Sequence, residues 1–166
     1  MMRWVVYLLC LLPMAALAGD ALDLDSIAGM YGRYFQDGTV TGESYQGEDI
    51  LEIVKLSPRQ VYFRTHLDFY NGHVCSLFGV AAVEGNALVY RASTTPGGTC
   101  VFKMVVAGGR ITFADADHVC TRENCGERGN LDGTSFPLSA RRPIRYMARL
   151  KSSWQYKSAL ATAGLK

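Results

Sequence analysis

The clearest pattern in the chain is a strict alternation of apolar and polar residues in the stretch VYFRTHLDFY, residues 61–70. Alternation with a period of two residues is typical of a β-strand that is buried on one face only. One face carries Val61, Phe63, Thr65, Leu67 and Phe69, and the other carries Tyr62, Arg64, His66, Asp68 and Tyr70. We expect the first set to fill a packed core.

Pairs of turn residues divide much of the chain into similar strands. Asn71-Gly72, Gly85-Asn86 and Gly108-Gly109 all accept the positive φ angles that two-residue hairpin turns need. Strands are expected near 29–35, 50–56, 60–70, 73–83, 87–94, 100–107, 110–116 and 134–138. This order predicts a mainly β protein, an antiparallel meander closing into a small barrel of seven or eight strands, because closure removes exposed edges. An open sheet covered by a helix is the alternative.

The period changes to a helical one near the C-terminus. Pro143 suits the first turn of a helix that runs through Gly164. A stripe at helical spacing would pack on the sheet, opposite a basic face in water. The stripe comprises Met147, Leu150, Trp154 and Ala161, and the other face Arg145, Arg149 and Tyr156. Truncating a buried Trp154 to alanine would then destabilise the fold by about 3–5 kcal/mol. The alternative is a basic amphipathic helix on anionic lipid.

The N-terminus has the features of a bacterial signal peptide. Arg3 precedes an apolar run over 5–12, Pro13 ends that run, and Ala16-Leu17-Ala18 supplies the small residues of a cleavage site. The run is shorter than the roughly 20 residues that span a bilayer. We therefore predict a signal peptide over 1–18 and a periplasmic or secreted protein without a membrane span after processing. Its one domain would comprise a barrel over 19–140 and the packed helix over 141–166.

Charge is distributed unevenly along the chain. The formal net charge is only +2, but residues 19–132 carry nine Lys/Arg against fifteen Asp/Glu, whereas residues 133–166 carry seven Lys/Arg and no acid. A dedicated nucleic-acid-binding protein would present a stronger and more coherent basic face. We therefore expect no nucleic-acid partner.

The cysteine count predicts disulfides. An even number of cysteines in an oxidising compartment indicates disulfides before metal binding. Four remain after processing: Cys75, Cys100, Cys120 and Cys125. We expect Cys75–Cys100 and Cys120–Cys125, one of three connectivities that four cysteines allow. The hairpin turns place all four at one end of the meander, called here the cysteine end, together with loops 37–49, 71–73, 94–99 and 118–133.

The richest candidate segment for function is DADHVCTRENCGERGNLDG, residues 115–133. Asp115, Asp117, His118 and the two cysteines offer zinc donors, but zinc sites usually have tighter Cys spacing with a second matching pair. A cysteine nucleophile with His118 or His73 as base needs a free thiol, and neither Gly-x-Ser-x-Gly nor His-Glu-x-x-His occurs. We therefore predict no metal, no cofactor and no enzymatic activity.

The same segment is better interpreted as a loop held by disulfides. Cross-linking reduces the freedom that a loop loses when it binds a partner. The natural contacts would be the charged residues Arg122, Glu123, Glu127 and Arg128. A purely structural role for the bridges, as compensation for a long irregular loop, is equally open.

Several motifs resemble small exported bacterial proteins grouped with lysozyme inhibitors. They are the strand CSLFGVA beginning at Cys75, Cys100 at the start of a later strand, and Cys120-x4-Cys125-Gly126-x-Arg128-Gly129. GMYGRY at 29–34 also resembles the opening of lipocalin-type barrels, with Tyr31 where a tryptophan would stand. The resemblance implies a β-barrel that binds, and inhibits, a muralytic (cell-wall-degrading) enzyme.

Two functions remain open from the sequence. One is an exported, disulfide-bonded binding protein of the inhibitor or immunity type, directed at a muralytic enzyme through the cysteine-end loops. The other is a lipocalin-like carrier that holds a polar-headed small ligand inside the barrel. The carrier requires Tyr62, Arg64, His66 and Tyr70 to point inward, whereas a solid core requires the opposite face of that strand to do so.

Overall fold

The computed structural model describes residues 22–94 and 98–165, so the predicted signal segment 1–18 lies outside the described residues. Eight strands form one sheet in which each strand pairs antiparallel with the next along the chain. They are β1 (Gly29–Gly38), β2 (Ser44–Ser57), β3 (Gln60–Phe69), β4 (His73–Glu84), β5 (Ala87–Thr94), β6 (Gly98–Ala107), β7 (Arg110–Ala114) and β8 (Ser135–Pro137). Four short helices accompany them: α1 (Leu24–Ile27), α2 (Val119–Asn124), α3 (Met147–Ser152) and α4 (Trp154–Thr162).

The sheet closes into the predicted small barrel. Beyond β8 the chain returns beside β1, where Met30 and Arg142 exchange two backbone N–H···O hydrogen bonds of 2.8 Å. The hairpins at Gly85-Asn86 and Gly108-Gly109 have the expected two-residue turns. The third turn is a three-residue 3-10 turn, Tyr70–Gly72. In the described part of the chain, no helix is long and apolar enough to cross a membrane.

The interior of the barrel is filled by its own side chains. Val61, Phe63 and Leu67 face inward and are buried, which confirms the predicted orientation of β3. Phe102 stacks on Phe63 with ring centroids 5.7 Å apart and meets Phe113 edge-on at 4.9 Å. The polar face of β3 points outward instead, so it does not line an interior ligand site.

One stretch of the barrel wall is closed by a side chain rather than by strand pairing. Paired positions between β4 and β5 are confined to 82–84 and 87–89. Beyond them the two strands diverge, and the Tyr90 ring lies against Gly79 and edge-on to Phe63. A Cβ on Gly79 would stand 2.3 Å from that ring, so only glycine leaves room for the tyrosine.

The C-terminal segment forms a second apolar cluster on the outer face of the sheet. The predicted continuous helix from Pro143 is wrong, because α3 begins only at Met147 and Ser153 interrupts the helix with extended backbone angles. The Ser153 hydroxyl then accepts a hydrogen bond from the Tyr156 N–H and so caps α4. The buried members of the cluster are Val54, Tyr62, Ile144, Leu150 and Ala159.

The break at Ser153 also changes which side chains are buried. The turn of extended backbone resets the helical phase, so Trp154 no longer continues the stripe of Met147 and Leu150. Trp154 is 68% exposed, and the expectation that it is buried is wrong. Tyr156, expected in water, instead packs edge-on against Tyr62 at 4.8 Å.

We expect Trp154→Ala to lower the free energy of unfolding by only about 0.5–1.5 kcal/mol, since its main ring contact is one edge-to-face pair with Phe78 at 5.1 Å. Urea unfolding measures this loss. Leu150→Ala in the buried cluster is the control, with an expected loss of about 2–5 kcal/mol. Equal losses in the two variants would contradict the exposed position of Trp154.

Candidate binding surface at the cysteine end

Two disulfides hold the segment after β7 against the barrel. Cys75 in β4 bonds to Cys125, and Cys100 in β6 bonds to Cys120 in α2. The predicted pairing Cys75–Cys100 and Cys120–Cys125 is therefore wrong. Although all four residues lie at one end, β5 separates β4 from β6, whereas Cys125 runs directly beside Cys75 and forms an isolated β-bridge with it.

Hydrogen bonds around Asp115 fix the start of the segment 115–133. The buried Asp115 carboxylate accepts N–H bonds from Cys120 at 3.2 Å and Thr121 at 2.7 Å, at the N-terminal turn of α2. Its own backbone N–H donates to the Asp132 carboxylate at 2.8 Å. Three of the five potential zinc donors are thus engaged in other bonds, the two cysteines in disulfides and Asp115 with backbone N–H groups.

The end of the segment packs directly on the Cys75–Cys125 disulfide. The Gly126 N–H donates to the Val74 carbonyl at 2.9 Å. A Cβ on Gly129 would lie 2.6 Å from Cys75 Sγ, so this close approach of the backbone needs glycine. The segment is consequently held at its start, at its helix and at its end.

The four charged residues predicted as contacts are all exposed, but they do not form one cluster. Arg122 and Glu123 belong to α2, where the Arg122 guanidinium donates to the Asp117 carbonyl at 3.0 Å. Glu127 and Arg128 follow Cys125, the last cysteine of the segment. The Arg128 guanidinium stands over the Tyr70 ring, 5.8 Å from its centroid, which joins two residues that the sequence had placed in separate sets.

Tyr70 lies where three loops meet. Its hydroxyl donates to the Thr39 carbonyl at 3.0 Å, and the Asn71 side chain accepts from the Val40 N–H at 3.2 Å. The predicted long loop 37–49 is mostly strand, with only residues 39–43 between β1 and β2. The Tyr45 hydroxyl fastens this hairpin to the 3-10 turn by accepting from the Gly72 N–H at 3.0 Å. Arg128 brings the third loop to the same tyrosine.

The cysteine end also carries most of the exposed large apolar side chains. Five such side chains occur in the described residues, and three belong here: Val40 at 66% exposure, Tyr70 at 42% and Val74 at 40%. We name these three and Arg128 the cysteine-end patch. Sequence reasoning missed Val40, in a polar turn, and Val74, on the outward face of β4. The available signal in the sequence was an apolar residue within a short polar or glycine-containing turn, or directly after one.

Polar side chains join β2 and β3 just inside this end. The Asp68 carboxylate accepts from the Glu48 N–H at 2.8 Å, and the Asp49 carboxylate accepts from the Asp68 N–H at 3.2 Å. Burial raises the pKa of Asp49 above its ordinary value, while the ion pair with the Arg33 guanidinium, whose Nε donates at 3.1 Å, opposes that shift. His66 Nε2 lies 3.0 Å from an Asp68 carboxylate oxygen, within hydrogen-bond distance.

The remaining members of the polar row on β3 lie beneath the C-terminal helices. Tyr62 is fully buried, and burial raises the pKa of its hydroxyl to about 12. Arg64 forms an ion pair with Glu52, whose side chain is fully buried and also accepts a hydrogen bond from the Tyr146 hydroxyl. Burial and this bond raise the pKa of Tyr146 to about 12. The four residues Tyr62, Arg64, His66 and Tyr70 therefore lie in four different local environments and do not form one site.

An open groove lies beside the Glu52 network, on the outside of the barrel. It has a volume of about 560 Å³, and its lining includes Tyr34, Glu48, Arg64 and Arg149. Like the cysteine-end patch, it lies outside the packed interior.

Comparison with known proteins gives no assignment. No family model, no curated protein and no solved structure matches this chain.

Proposed function

We propose that this protein is an exported binding protein of the inhibitor or immunity type, whose cysteine end binds a muralytic enzyme. The observation that carries the proposal is the cysteine-end patch, an exposed aromatic-aliphatic surface with an arginine over its tyrosine. The loop that carries this arginine is held by two disulfides, and the turns that carry Val40 and Tyr70 are joined by hydrogen bonds. The choice of a muralytic enzyme rests on the sequence resemblance.

The composition of the patch supports recognition of another protein. Tyrosine and arginine are enriched among the few interface residues that contribute most of the binding free energy. Here Tyr70 is anchored through its hydroxyl, so its ring already has a fixed position before binding. A fixed ring loses less side-chain freedom on association than a mobile one.

The disulfides support the same interpretation through the backbone. Without the disulfides, the segment 115–133 would be a long irregular loop. Ordering such a loop when a partner binds would reduce the binding free energy. Because the loop is held at both cysteines, Arg122, Glu123, Glu127 and Arg128 project from a defined backbone. Their mixed charges suit a partner with both a cationic surface and an acidic catalytic cleft.

The packed interior favours this proposal over the carrier. A barrel of eight strands encloses little more than its own side chains unless they are small. Here Phe63, Phe102 and Phe113 occupy the interior together with aliphatic residues. A carrier would have to use the outside of the barrel.

Affinity capture from the exported fraction tests the proposal. The protein and its Arg122→Ala/Arg128→Ala variant serve as baits, and bound proteins are identified by mass spectrometry. We expect a muralytic enzyme to be enriched by the native bait and lost from the variant, whose melting temperature should stay within a few degrees because both residues are exposed. The matched control is Arg59→Ala/Lys103→Ala, two exposed cations outside the segment. Equal capture by all three baits would contradict the proposal.

A further inference from the structure

The surface formed by the C-terminal helices carries a tryptophan that is mostly exposed to solvent. We call residues 144–162 the C-terminal layer; it covers the outer face of the sheet. Trp154 touches the sheet through one edge contact with Phe78, yet 68% of it is exposed. Tryptophan is enriched where an apolar phase meets water, because its ring is apolar and its indole N–H is a donor.

Four exposed positions of the C-terminal layer are cationic. Lys157 follows Trp154 by one turn on α4, and Arg149 and Lys151 flank the buried Leu150 on α3. Arg145 precedes them and is exposed as well. Among the described residues, no ion pair involves any of these four cations. The chain from residue 133 onward has no acidic residue to neutralise them.

We propose that the C-terminal layer is a docking surface for an anionic lipid bilayer. Lipid phosphates would attract Arg145, Arg149, Lys151 and Lys157, and the Trp154 ring would enter the headgroup region. Attraction of this kind needs exposed cations that are not neutralised by ion pairs, and all four meet that condition; Arg149 stands over the Tyr146 ring, 5.1 Å from its centroid, and keeps its charge. Glu48, which lines the same groove as Arg149, is half-buried, and Glu52, bonded to the Tyr146 hydroxyl, is fully buried and paired with Arg64.

A bilayer suits this surface better than an acidic protein does. The surface potential of an anionic bilayer attracts basic residues without fixed pairing, whereas carboxylates of a protein are recognised most specifically in directional, bidentate pairs. Trp154 projects from the layer, with most of its surface exposed and its ring in a T-shaped pair with Phe78. Since the layer covers the side of the barrel and the cysteine-end patch lies at its end, lipid and protein could be bound together.

Vesicle binding of the exported, processed protein tests the inference. The probes are vesicles of equal parts phosphatidylglycerol and phosphatidylcholine, and vesicles of phosphatidylcholine alone, at low salt. We expect co-sedimentation with the first only, weakening as salt is added, and a blue shift of tryptophan emission. A Trp154→Phe variant supplies the background emission. Absence of binding to the anionic vesicles, or binding without the blue shift, would overturn the proposal.

Charge variants separate this surface from general electrostatic attraction. Lys151→Ala/Lys157→Ala should weaken vesicle binding by about 25-fold, corresponding to two cations near an anionic surface. Arg59→Ala/Lys103→Ala makes the same change in net charge elsewhere and should leave it nearly unchanged. Equal weakening in both variants would refute the assignment. Polyglutamate binding without vesicle binding would identify the layer as a docking site for acidic protein and would equally refute it.

Discussion

Replacing both Cys75 and Cys125 with alanine should lower the free energy of unfolding by about 4 kcal/mol. This bond closes a loop of 50 residues, and its removal returns that loop's freedom to the unfolded chain. Cys75 is also fully buried, so alanine leaves a small cavity beneath Gly129. Urea unfolding of the oxidised protein measures the loss, and a loss below about 1 kcal/mol would contradict it.

The single variants test the connectivity as well as the stability. In the chain over residues 19–166, Cys75→Ala should leave one reactive thiol, which peptide mapping should place at Cys125, while Cys100 and Cys120 stay bonded. A matched comparison is Cys100→Ala/Cys120→Ala, whose loop of 20 residues predicts a smaller loss of about 3 kcal/mol. A reactive thiol at Cys100 in the Cys75→Ala variant would instead show that Cys75 pairs with Cys100.

Glu52→Ala should lower the free energy of unfolding by about 3 kcal/mol. The variant leaves Arg64 and the Tyr146 hydroxyl without their shared acceptor beneath the C-terminal layer. Removing one partner of a buried pair typically costs about 3–5 kcal/mol, and the partial exposure of Arg64 favours the lower end. Hydrogen exchange should also rise in peptides over 144–162, because Tyr146 connects that segment to the sheet.

The control for Glu52 is another glutamate paired with an arginine. Glu84 pairs with Arg91 in an exposed position, so water can solvate Arg91 when the pair is removed and little stability is lost. Glu84→Ala should therefore change stability far less than Glu52→Ala and leave exchange over 144–162 unaltered. Equal effects of the two variants would mean that burial of Glu52 has no energetic consequence.

The strands of the barrel could be predicted from sequence because each one carries local information. The alternation in 61–70 defines which face of β3 is buried, and Gly85-Asn86 and Gly108-Gly109 set the hairpins on either side of β5 and β6. A meander needs only local turns to fix the neighbours of each strand. The tertiary arrangement of β2 to β7 therefore follows from local pairing alone.

The disulfide partners could not be predicted in the same way, because proximity at one end of a barrel does not specify neighbours around its circumference. Cys75 and Cys100 lie on β4 and β6, which β5 separates. The path of segment 115–133 decides the pairing. That path depends on contacts between residues distant in sequence, the Asp115 N–H with the Asp132 carboxylate and Gly129 with Cys75.

The C-terminal prediction failed at a single residue. Ser153 adopts extended backbone angles, and the helical phase after it differs from the phase before it. A stripe drawn through Met147, Leu150 and Trp154 assumes an unbroken helix, so it placed Trp154 in the core. Serine is a good N-cap, and that was the available signal for a second helix beginning at Trp154.

The most direct test of the binding proposal compares two exposed tyrosines. Tyr70 lies in the cysteine-end patch, whereas Tyr34, at 61% exposure, lies on the outward face of β1. The measurement is the Kd of the captured muralytic enzyme for the native protein, for Tyr70→Ala and for Tyr34→Ala, by calorimetry. We predict that Tyr70→Ala raises the Kd by about 30-fold or more, as for a hot-spot residue, and that Tyr34→Ala leaves it unchanged. An unchanged Kd for a folded Tyr70→Ala variant would contradict the assignment of the cysteine end as the binding surface.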